Sequence, residues 1–155
     1  MIVLLQRVLE AQVVRRAEGG QAEEPLGAVG RGLLAFVCAE PGDSAAVIAK
    51  AARKTARLRI FEDAQGKTNL DLHAVDGELL LVSQFTLYAD CKKGNRPSFI
   101  NAGKPDMANE LYEYIISKCR EDIPKVEKGI FGADMKVSLL NDGPFTILLD
   151  SAEIC

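Results

Sequence analysis

Residues 2–9 are apolar on both faces of the strand that they would form, with only Gln6 and Arg7 as polar interruptions. A strand of this kind must be covered on both faces, so it predicts the centre of a sheet with other elements packed on each side. The chain has 155 residues. This is the length of about one domain, which can bury about 68–70% of its unfolded surface. We therefore expect one domain over residues 1–155.

The pattern along the rest of the chain predicts an α+β fold, in which a mostly antiparallel, barrel-like β-sheet packs against two helices. The first helix covers residues 44–57 and is capped by Asp43 or Ser44. The second begins at Pro105. Residues 89–104 form a long polar loop, which a compact domain keeps mainly for function. Further strands are expected over residues 31–39, 58–61, 70–72, 78–88, 126–131, 135–141 and 145–150.

The charge balance excludes a protein that coats nucleic acid with its whole surface. Lys and Arg number 19, Asp and Glu number 22, and the formal net charge is −3. A nucleic acid would therefore have to be held by a local patch. Two basic groupings could form such a patch, although the first is also typical of a solvated helix face. They are Lys50, Arg53, Lys54 and Arg57 at helical spacing, and Lys92, Lys93, Arg96 and Lys104 in the long loop.

Cysteine usage and motif content indicate a cytoplasmic protein with no metal and no cofactor. The four cysteines lie far apart without a Cys-x-x-Cys pair, which argues against a disulfide framework or a zinc site. Neither a P-loop, a GxGxxG fingerprint nor a cluster of metal ligands is found. The chain also lacks a run of about 18 apolar residues, so we expect no membrane span.

The chain has one histidine, His73, and no tryptophan. His73 lies beside a predicted turn at Asp76-Gly77, so we expect it at the surface. A hydrolase built from this sequence must therefore use that single imidazole or work without a histidine base.

The tetrapeptide Ser83-Gln84-Phe85-Thr86 interrupts an apolar strand with three side chains that form hydrogen bonds. Such groups cost about 1–3 kcal/mol when they are buried without partners, so something must satisfy them. One interpretation is bonding within the sheet, or a strand end in water. The other is a functional site lined by an amide, two hydroxyls and free backbone N–H groups. The second interpretation requires the strand to end or bulge near Phe85 and Thr86.

A second polar segment, Asn141-Asp142-Gly143-Pro144-Phe145-Thr146, also has two interpretations. Its turn-forming residues predict a hairpin between two strands. Alternatively, the segment is a rigid projection whose carbonyl groups face outward. Arg7, in an apolar strand, either reaches water at the end of that strand or binds acceptors such as the carbonyls of a turn.

Together the two segments resemble the two signature motifs of the D-aminoacyl-tRNA deacylases. The resemblance runs nearly end to end, and its other segments are IVLLQRV at 2–8, GLL at 32–34, RIF at 59–61, RPSF at 96–99, ADM at 133–135 and VSL at 137–139. Phe145 departs from the pattern, because the family more often has Val there. The related archaeal-type and animal groups use a first motif that differs from Ser83-Gln84.

The resemblance implies hydrolysis of the ester that joins a D-amino acid, or glycine, to the 3′-terminal adenosine of tRNA, a proofreading step in translation. It implies a homodimer without metal or cofactor. In that dimer a cis Gly143-Pro144 pair, held by Arg7, enters the partner subunit's pocket and rejects L-amino acids by collision. Phe131 and Met135 would flank the terminal adenine. The full set implied to bind the substrate is Arg7, Phe131, Met135, Asn141, Gly143 and Pro144.

For catalysis, the resemblance and the missing histidine base together favour stabilisation of an oxyanion. The backbone N–H groups of Phe85 and Thr86 would be its donors, and Ser83 and Gln84 would position the substrate. Without a base, the Thr86 hydroxyl lacks the activation that a nucleophile needs, so we favour a bound water helped by the 2′-hydroxyl of the substrate.

Two other functions are compatible with the sequence. One is a non-catalytic RNA-binding homodimer, which would bind tRNA without cleaving an ester. The other is a small esterase for D-amino acids, which would not need the RNA.

Overall fold

The computed structural model describes residues 1–16, 19 and 22–154. Its strands are β1 (Ile2–Arg15), β2 (Glu24–Val29), β3 (Gly32–Cys38), β4 (Phe61–Glu62), β5 (Thr68–Leu70), β6 (Glu78–Ser83), β7 (Val126–Lys128) and β8 (Met135–Asp150). Its helices are α1 (Ala45–Arg57), α2 (Pro105–Asp122) and α3 (Ser151–Ile154), and a 3₁₀ turn covers Phe85–Tyr88. Ser44 caps α1, with its side chain accepting a hydrogen bond from the Val47 N–H.

β1 is the central strand of the main sheet. β8 pairs antiparallel with β1 from Ile2 to Arg15, whereas β3 pairs with the first half of β1 and β2 with its second half. β3, β6 and β7 then follow as parallel neighbours. Because β2 also comes into contact with β6 and β7, the sheet curls into a nearly closed barrel. The predicted α+β class and barrel-like sheet are confirmed.

The fold differs from the expectation in its parallel strand pairs and in one short helix. The β3–β6 and β6–β7 pairs are parallel, because α1 and α2 fill the connections between these strands, and parallel neighbours need such crossovers. The order of strand, helix and strand can be predicted from the sequence, and it already indicates parallel pairing of this kind. The described residues also include the four-residue α3, in addition to the two predicted helices.

The core lies on both faces of β3 and β6, and the coverage of both faces predicted for residues 2–9 is only partly confirmed. Val3, Leu5 and Val8 are buried, whereas Ile2 and Leu4 are half-buried and Leu9 is 48% exposed. One buried cluster joins alternate residues of β1, β3 and β6 to α1 and α2. A second cluster, on the opposite face, contains Val8, Leu34 and Leu80. β3 and β6 approach very closely where they begin, since a Cβ on Gly32 would lie 1.9 Å from the Glu78 carbonyl oxygen. Only glycine fits that position.

Glu78 links the start of β6 to the turn between β2 and β3 and to the residue before β7. Its carboxylate accepts hydrogen bonds from the Gly30 N–H at 2.6 Å and from the Lys125 ammonium at 2.8 Å. The Lys125 hydrogen bond is the main reason that the pKa of Glu78 lies below its usual 4.5. A carboxyl with a lowered pKa in the folded state stabilises the fold above its ordinary pKa, and loses that effect as the pH falls through the folded value.

We expect Glu78→Gln to lower the free energy of unfolding at pH 7 by about 1 kcal/mol. The difference from the unsubstituted protein should shrink as the pH falls below 4.5, the ordinary pKa of this group, because the carboxylate is then protonated. Urea unfolding between pH 7 and pH 3 measures this change. A difference that stays constant over the whole range would contradict the prediction.

Candidate active site

A cavity of about 590 Å³ opens where β3 and β6 end. Its volume lies in the range of small-molecule sites. The wall is built from the ends of these strands, the loop before α2, the first turns of α2, and the segment that leads into β8. The predicted site residues on this wall are Ser83, Gln84, Phe85, Phe131 and Met135. The wall does not include Thr86, Arg7, Asn141, Gly143 or Pro144 of the same chain.

β6 ends at Ser83, so the prediction of a strand through residue 88 is wrong beyond that point. The last sheet hydrogen bond runs from the Gln84 N–H to the Val37 carbonyl at 2.8 Å, and the chain then enters the 3₁₀ turn. The first N–H groups of a helical turn have no partner within it. Within the described part of the chain, the N–H groups of Phe85 and Thr86 have no acceptor. The strand end required by the functional interpretation is therefore present.

The side chains of the tetrapeptide are neutral and mostly reachable from solvent. Gln84 Nε2 donates to Thr86 Oγ1 at 2.5 Å, and Thr86 is exposed. Ser83 and Gln84 are half-buried. His73 is exposed, as predicted, and is not on the cavity wall. The imidazole is therefore unavailable as a base for this cavity.

The ionisable groups on the described wall are Cys38, Tyr112 and Asp134. Burial, with the Glu40 carboxylate as the next cause, raises the pKa of the Cys38 thiol to about 11. Burial also raises the pKa of Tyr112, whose hydroxyl donates to the Leu81 carbonyl at 2.8 Å. Asp134 is largely exposed and forms an ion pair with Arg16 at 3.0 Å. The cavity thus offers mainly hydrogen bonds, and Asp134 is the one carboxylate among the described wall residues.

The second segment is a projection from β8, and the prediction of a hairpin turn there is wrong. Asn141 pairs with Val8, and Thr146 pairs with Gln6, so four residues of β8 lie opposite one residue of β1. We call residues 142–145 the prong. Because β8 pairs with β1 both before and after the prong, the chain keeps its direction. The sequence correctly indicated turn-forming residues at this point. Whether the chain reverses its direction there depends on the strand with which the flanking residues pair.

The prong has a defined shape and an exposed tip. The Phe145 N–H donates to the Asn141 side-chain oxygen at 2.8 Å, which closes its base. The Gly143–Pro144 peptide bond is cis, and both residues are exposed. Gly143 has a φ of +142°, and a Cβ there would lie 2.9 Å from the Phe145 nitrogen.

Arg7 ties the prong to the barrel. The residue is only 6% exposed. Its Nε donates to the Asp142 carbonyl at 2.9 Å, and its Nη1 donates to the Ile60 carbonyl at 2.7 Å. The guanidinium also lies over the Phe145 ring, 4.9 Å from the ring centre. The interpretation that Arg7 binds carbonyl acceptors is confirmed, and Phe145 supplies a second contact.

We expect Arg7→Met to lower the free energy of unfolding by about 1–3 kcal/mol, because it leaves buried carbonyl groups without a donor. Arg15→Met on the same strand is the matched control. Its partner Glu24 lies 3.3 Å away, and both side chains are largely exposed, so the control should cost less than about 1 kcal/mol. Urea unfolding compares the two variants, and equal losses would contradict the role of Arg7.

In the described residues, no three His, Cys, Asp or Glu side chains are grouped so that they could hold a metal ion. None of the described helices is long and apolar enough to cross a membrane. Cys38, Cys91 and Cys119 are free thiols, and Cys155 lies outside the described residues.

Comparison with known proteins decides the family. The model of the D-Tyr-tRNA(Tyr) deacylase family matches residues 4–150. The chain belongs to this family. A D-aminoacyl-tRNA deacylase of Lactobacillus acidophilus is 54% identical over 150 residues, which cover 97% of this chain and 99% of that protein. The resemblance inferred from the two motifs is confirmed.

Two solved structures are similar to this deacylase family member. One, titled c-Myc DNA unwinding element binding protein, has a TM-score of 0.86 and 34% identity, and the match covers 97% of this chain and 98% of that chain. The other is titled a structural analysis of a probable eukaryotic D-amino acid tRNA deacylase. It has a TM-score of 0.75 and 19% identity, covers 96% and 97% of the two chains, and shows the shared fold.

Sequence reasoning missed most of the wall residues of this deacylase fold, among them Tyr112 and Phe99. Tyr112 lies on the buried face of α2, where nothing in the helical pattern marked it as a wall residue. Phe99 belongs to the RPSF segment of the resemblance, but its place on the wall depends on the path of the loop.

Proposed function

We propose that the chain hydrolyses the ester of D-aminoacyl-tRNA and releases the free D-amino acid and tRNA, while sparing L-aminoacyl-tRNA. The observation that carries this proposal is the pair of unpartnered N–H groups on Phe85 and Thr86, beside a cavity of suitable size, in a member of the deacylase family. Such donors suit the oxyanion that forms when an ester carbonyl is attacked.

In the proposed reaction, a water molecule attacks the ester carbonyl, and the carbonyl oxygen becomes an oxyanion held by the two N–H groups. The bond to the 3′-oxygen then breaks. The proton from the water passes through the 2′-hydroxyl of the substrate to the departing 3′-oxygen, so no protein base is needed. The Thr86 hydroxyl, which accepts from Gln84, has no base beside it and is not the nucleophile in this scheme. Ser83 and Gln84 position the substrate.

The rest of the cavity suits the end of the RNA. Phe131 and Met135 lie on its wall, and we place the terminal adenine between them. An achiral glycyl ester has no side chain to collide with the enzyme, so glycyl-tRNA is included as a substrate.

We also propose a homodimer in which the prong of one chain enters the cavity of its partner. The exposed tip at Gly143 and Pro144 is not on the wall of its own cavity, which supports a role in a second copy. β1 and β8 also carry exposed apolar side chains that a dimer would cover, at Leu9, Leu140 and Leu148. Asn141 and Arg7 hold the prong so that its carbonyls meet the substrate. A D side chain points out of such a pocket, whereas an L side chain strikes the prong.

The free thiols suit a reducing compartment, so we propose that the enzyme works in the cytoplasm. The assay that tests the whole proposal compares D-Tyr-tRNA, L-Tyr-tRNA and D-tyrosine ethyl ester. We expect cleavage of the first, with D preferred over L and RNA over the alkyl ester. Binding of tRNA without cleavage would favour the RNA-binding dimer, and equal cleavage of the ethyl ester would favour the small esterase.

A further inference from the structure

The loop over residues 89–104 carries four cations that the described residues leave unpaired. They are Lys92, Lys93, Arg96 and Lys104, all exposed. No described carboxylate oxygen lies within 4.0 Å of their charged nitrogens. The loop contains one acidic residue, Asp90, so its net charge is +3 in a chain whose net charge is −3. This segment is therefore a positively charged patch that attracts anions, on a protein whose net charge is negative.

The same loop forms part of the cavity rim. Phe99 and Gly103 line the cavity, and Lys104 lies between Gly103 and the lining residue Pro105. Backbone hydrogen bonds of 2.8 and 2.9 Å between Asp90 and Ser98 close the base of the excursion over residues 91–97. Seven residues that go out and return can reach only about 12 Å from that base. Lys104 therefore lies at the cavity rim, and the other three cations lie within that reach of the Asp90–Ser98 pair, which directly precedes the lining residue Phe99.

The loop also contributes one ring to an exposed aromatic pair. Phe85 from the 3₁₀ turn and Phe99 from the loop meet edge to face, with ring centres 5.1 Å apart. The two residues are 55% and 36% exposed. Aromatic rings beside a cationic track are what proteins use to hold single-stranded nucleic acid, because bases stack on the rings and phosphates bind the cations.

The basic face of α1 lies in a different place. Arg57, at its end, is 3.5 Å from both Asp71 and Asp122. Asp122 ends α2, and Pro105, Ala108 and Tyr112 in the first turns of α2 line the cavity. The helix rises about 15 Å from Tyr112 to Asp122, so the last turn of α1 lies about that far along α2 from the nearest lining residue of the helix. The two basic groupings of the sequence are therefore not equivalent.

We propose that the loop over residues 89–104 holds the single-stranded 3′ end of the RNA. Its cations bind phosphates, and the Phe85–Phe99 pair stacks against the base that precedes the terminal nucleotide. The inference deepens the proposed function, since it assumes that the cavity takes the terminal nucleotide. Binding of uncharged tRNA tests the loop separately from hydrolysis.

The test compares two double variants that remove the same charge. Lys92→Gln with Lys93→Gln changes the loop, and Arg53→Gln with Lys54→Gln is the matched control on the exposed face of α1. The affinity for uncharged tRNA is measured from 0.05 to 0.3 M salt. A single-strand phosphate contact contributes about 0.7 to the slope of log affinity against log salt, so the loop variant should lose about 1.4 from its slope. Its affinity near 0.1 M salt should fall by on the order of tenfold.

The control double variant should bind as the unsubstituted protein does, and the loop variant should still cleave D-tyrosyl-adenosine, which lacks the phosphates. An unchanged slope in the loop variant would overturn the inference, and so would an equal loss in the α1 variant. If the unsubstituted protein cleaves neither D-Tyr-tRNA nor D-tyrosyl-adenosine, the proposed function fails. A loop-specific loss of tRNA affinity would still support the inference in that case.

Discussion

Replacing Phe85 with proline is expected to lower kcat/KM for D-Tyr-tRNA about 100- to 1000-fold, because it removes one oxyanion donor worth about 2.7–4 kcal/mol. The position tolerates proline. The Phe85 N–H has no acceptor among the described residues, and Phe85 is the first residue of its turn, where the fixed φ of proline is ordinary. The preceding Gln84 has a ψ of 81°, outside the helical region that a following proline disfavours.

Phe85→Ala is the matched control, because it removes the same ring but keeps the N–H group. The alanine variant should retain far more activity than the proline variant towards D-tyrosyl-adenosine, which does not reach the rim. Unfolding in urea shows whether both variants keep the fold. Equal activity of the two variants would contradict the role of this N–H group and would favour a role of the Thr86 hydroxyl in the reaction instead.

Gly143→Ala is expected to lower kcat/KM for D-Tyr-tRNA by about 100-fold, since small displacements of a positioning group have effects of that size. Alanine disfavours the φ of +142°, and its Cβ would lie 2.9 Å from the Phe145 nitrogen, so the tip of the prong must move. Gly66→Ala is the control. It also has a positive φ, of +74°, but no atom lies within 4 Å of the added Cβ. The Gly143→Ala variant should lose deacylation activity, and the Gly66→Ala variant should keep it.

Mixing the two inactive variants tests the exchange of prongs. In a mixed dimer, the Gly143→Ala chain supplies an intact cavity and the Phe85→Pro chain supplies an intact prong. One complete site forms, so an equal mixture that exchanges subunits should recover about a quarter of the original activity. Recovery is the expected result only if the prong serves the partner. No recovery after demonstrated subunit exchange would show that cavity and prong must belong to the same chain.

The tetrapeptide Ser83-Gln84-Phe85-Thr86 illustrates how much of the site can be predicted from the sequence. Three polar side chains in an apolar strand indicated a functional site. The strand-like pattern of the sequence, however, predicted that the strand continues through residue 88. The strand stops at Ser83 because β3 ends there as well, after the Gln84 N–H reaches Val37. The length of a partner strand is not visible in the segment itself. The unpartnered N–H groups therefore became visible only in the fold.

The prong shows the same limit of prediction from the sequence. Asn141, Gly143 and Pro144 marked an irregular backbone correctly, since their preferences are local. Whether the chain reverses there depends on β1, a strand more than 130 residues earlier that pairs with β8 on both sides of the prong. Arg7 on that distant strand holds the prong, and only the pairing register brings them together.

The sequence by itself determined the fold class, the two long helices, much of the core pattern and the two motifs that indicate the family, because these depend on local periodicity and residue identity. The tertiary structure alone decided the parallel strand pairs, the end of β6 and the continuous course of β8. It also separated the two basic groupings, placing one at the cavity rim and the other towards the far end of α2. These features depend on contacts between residues far apart in the chain, which local preferences do not specify.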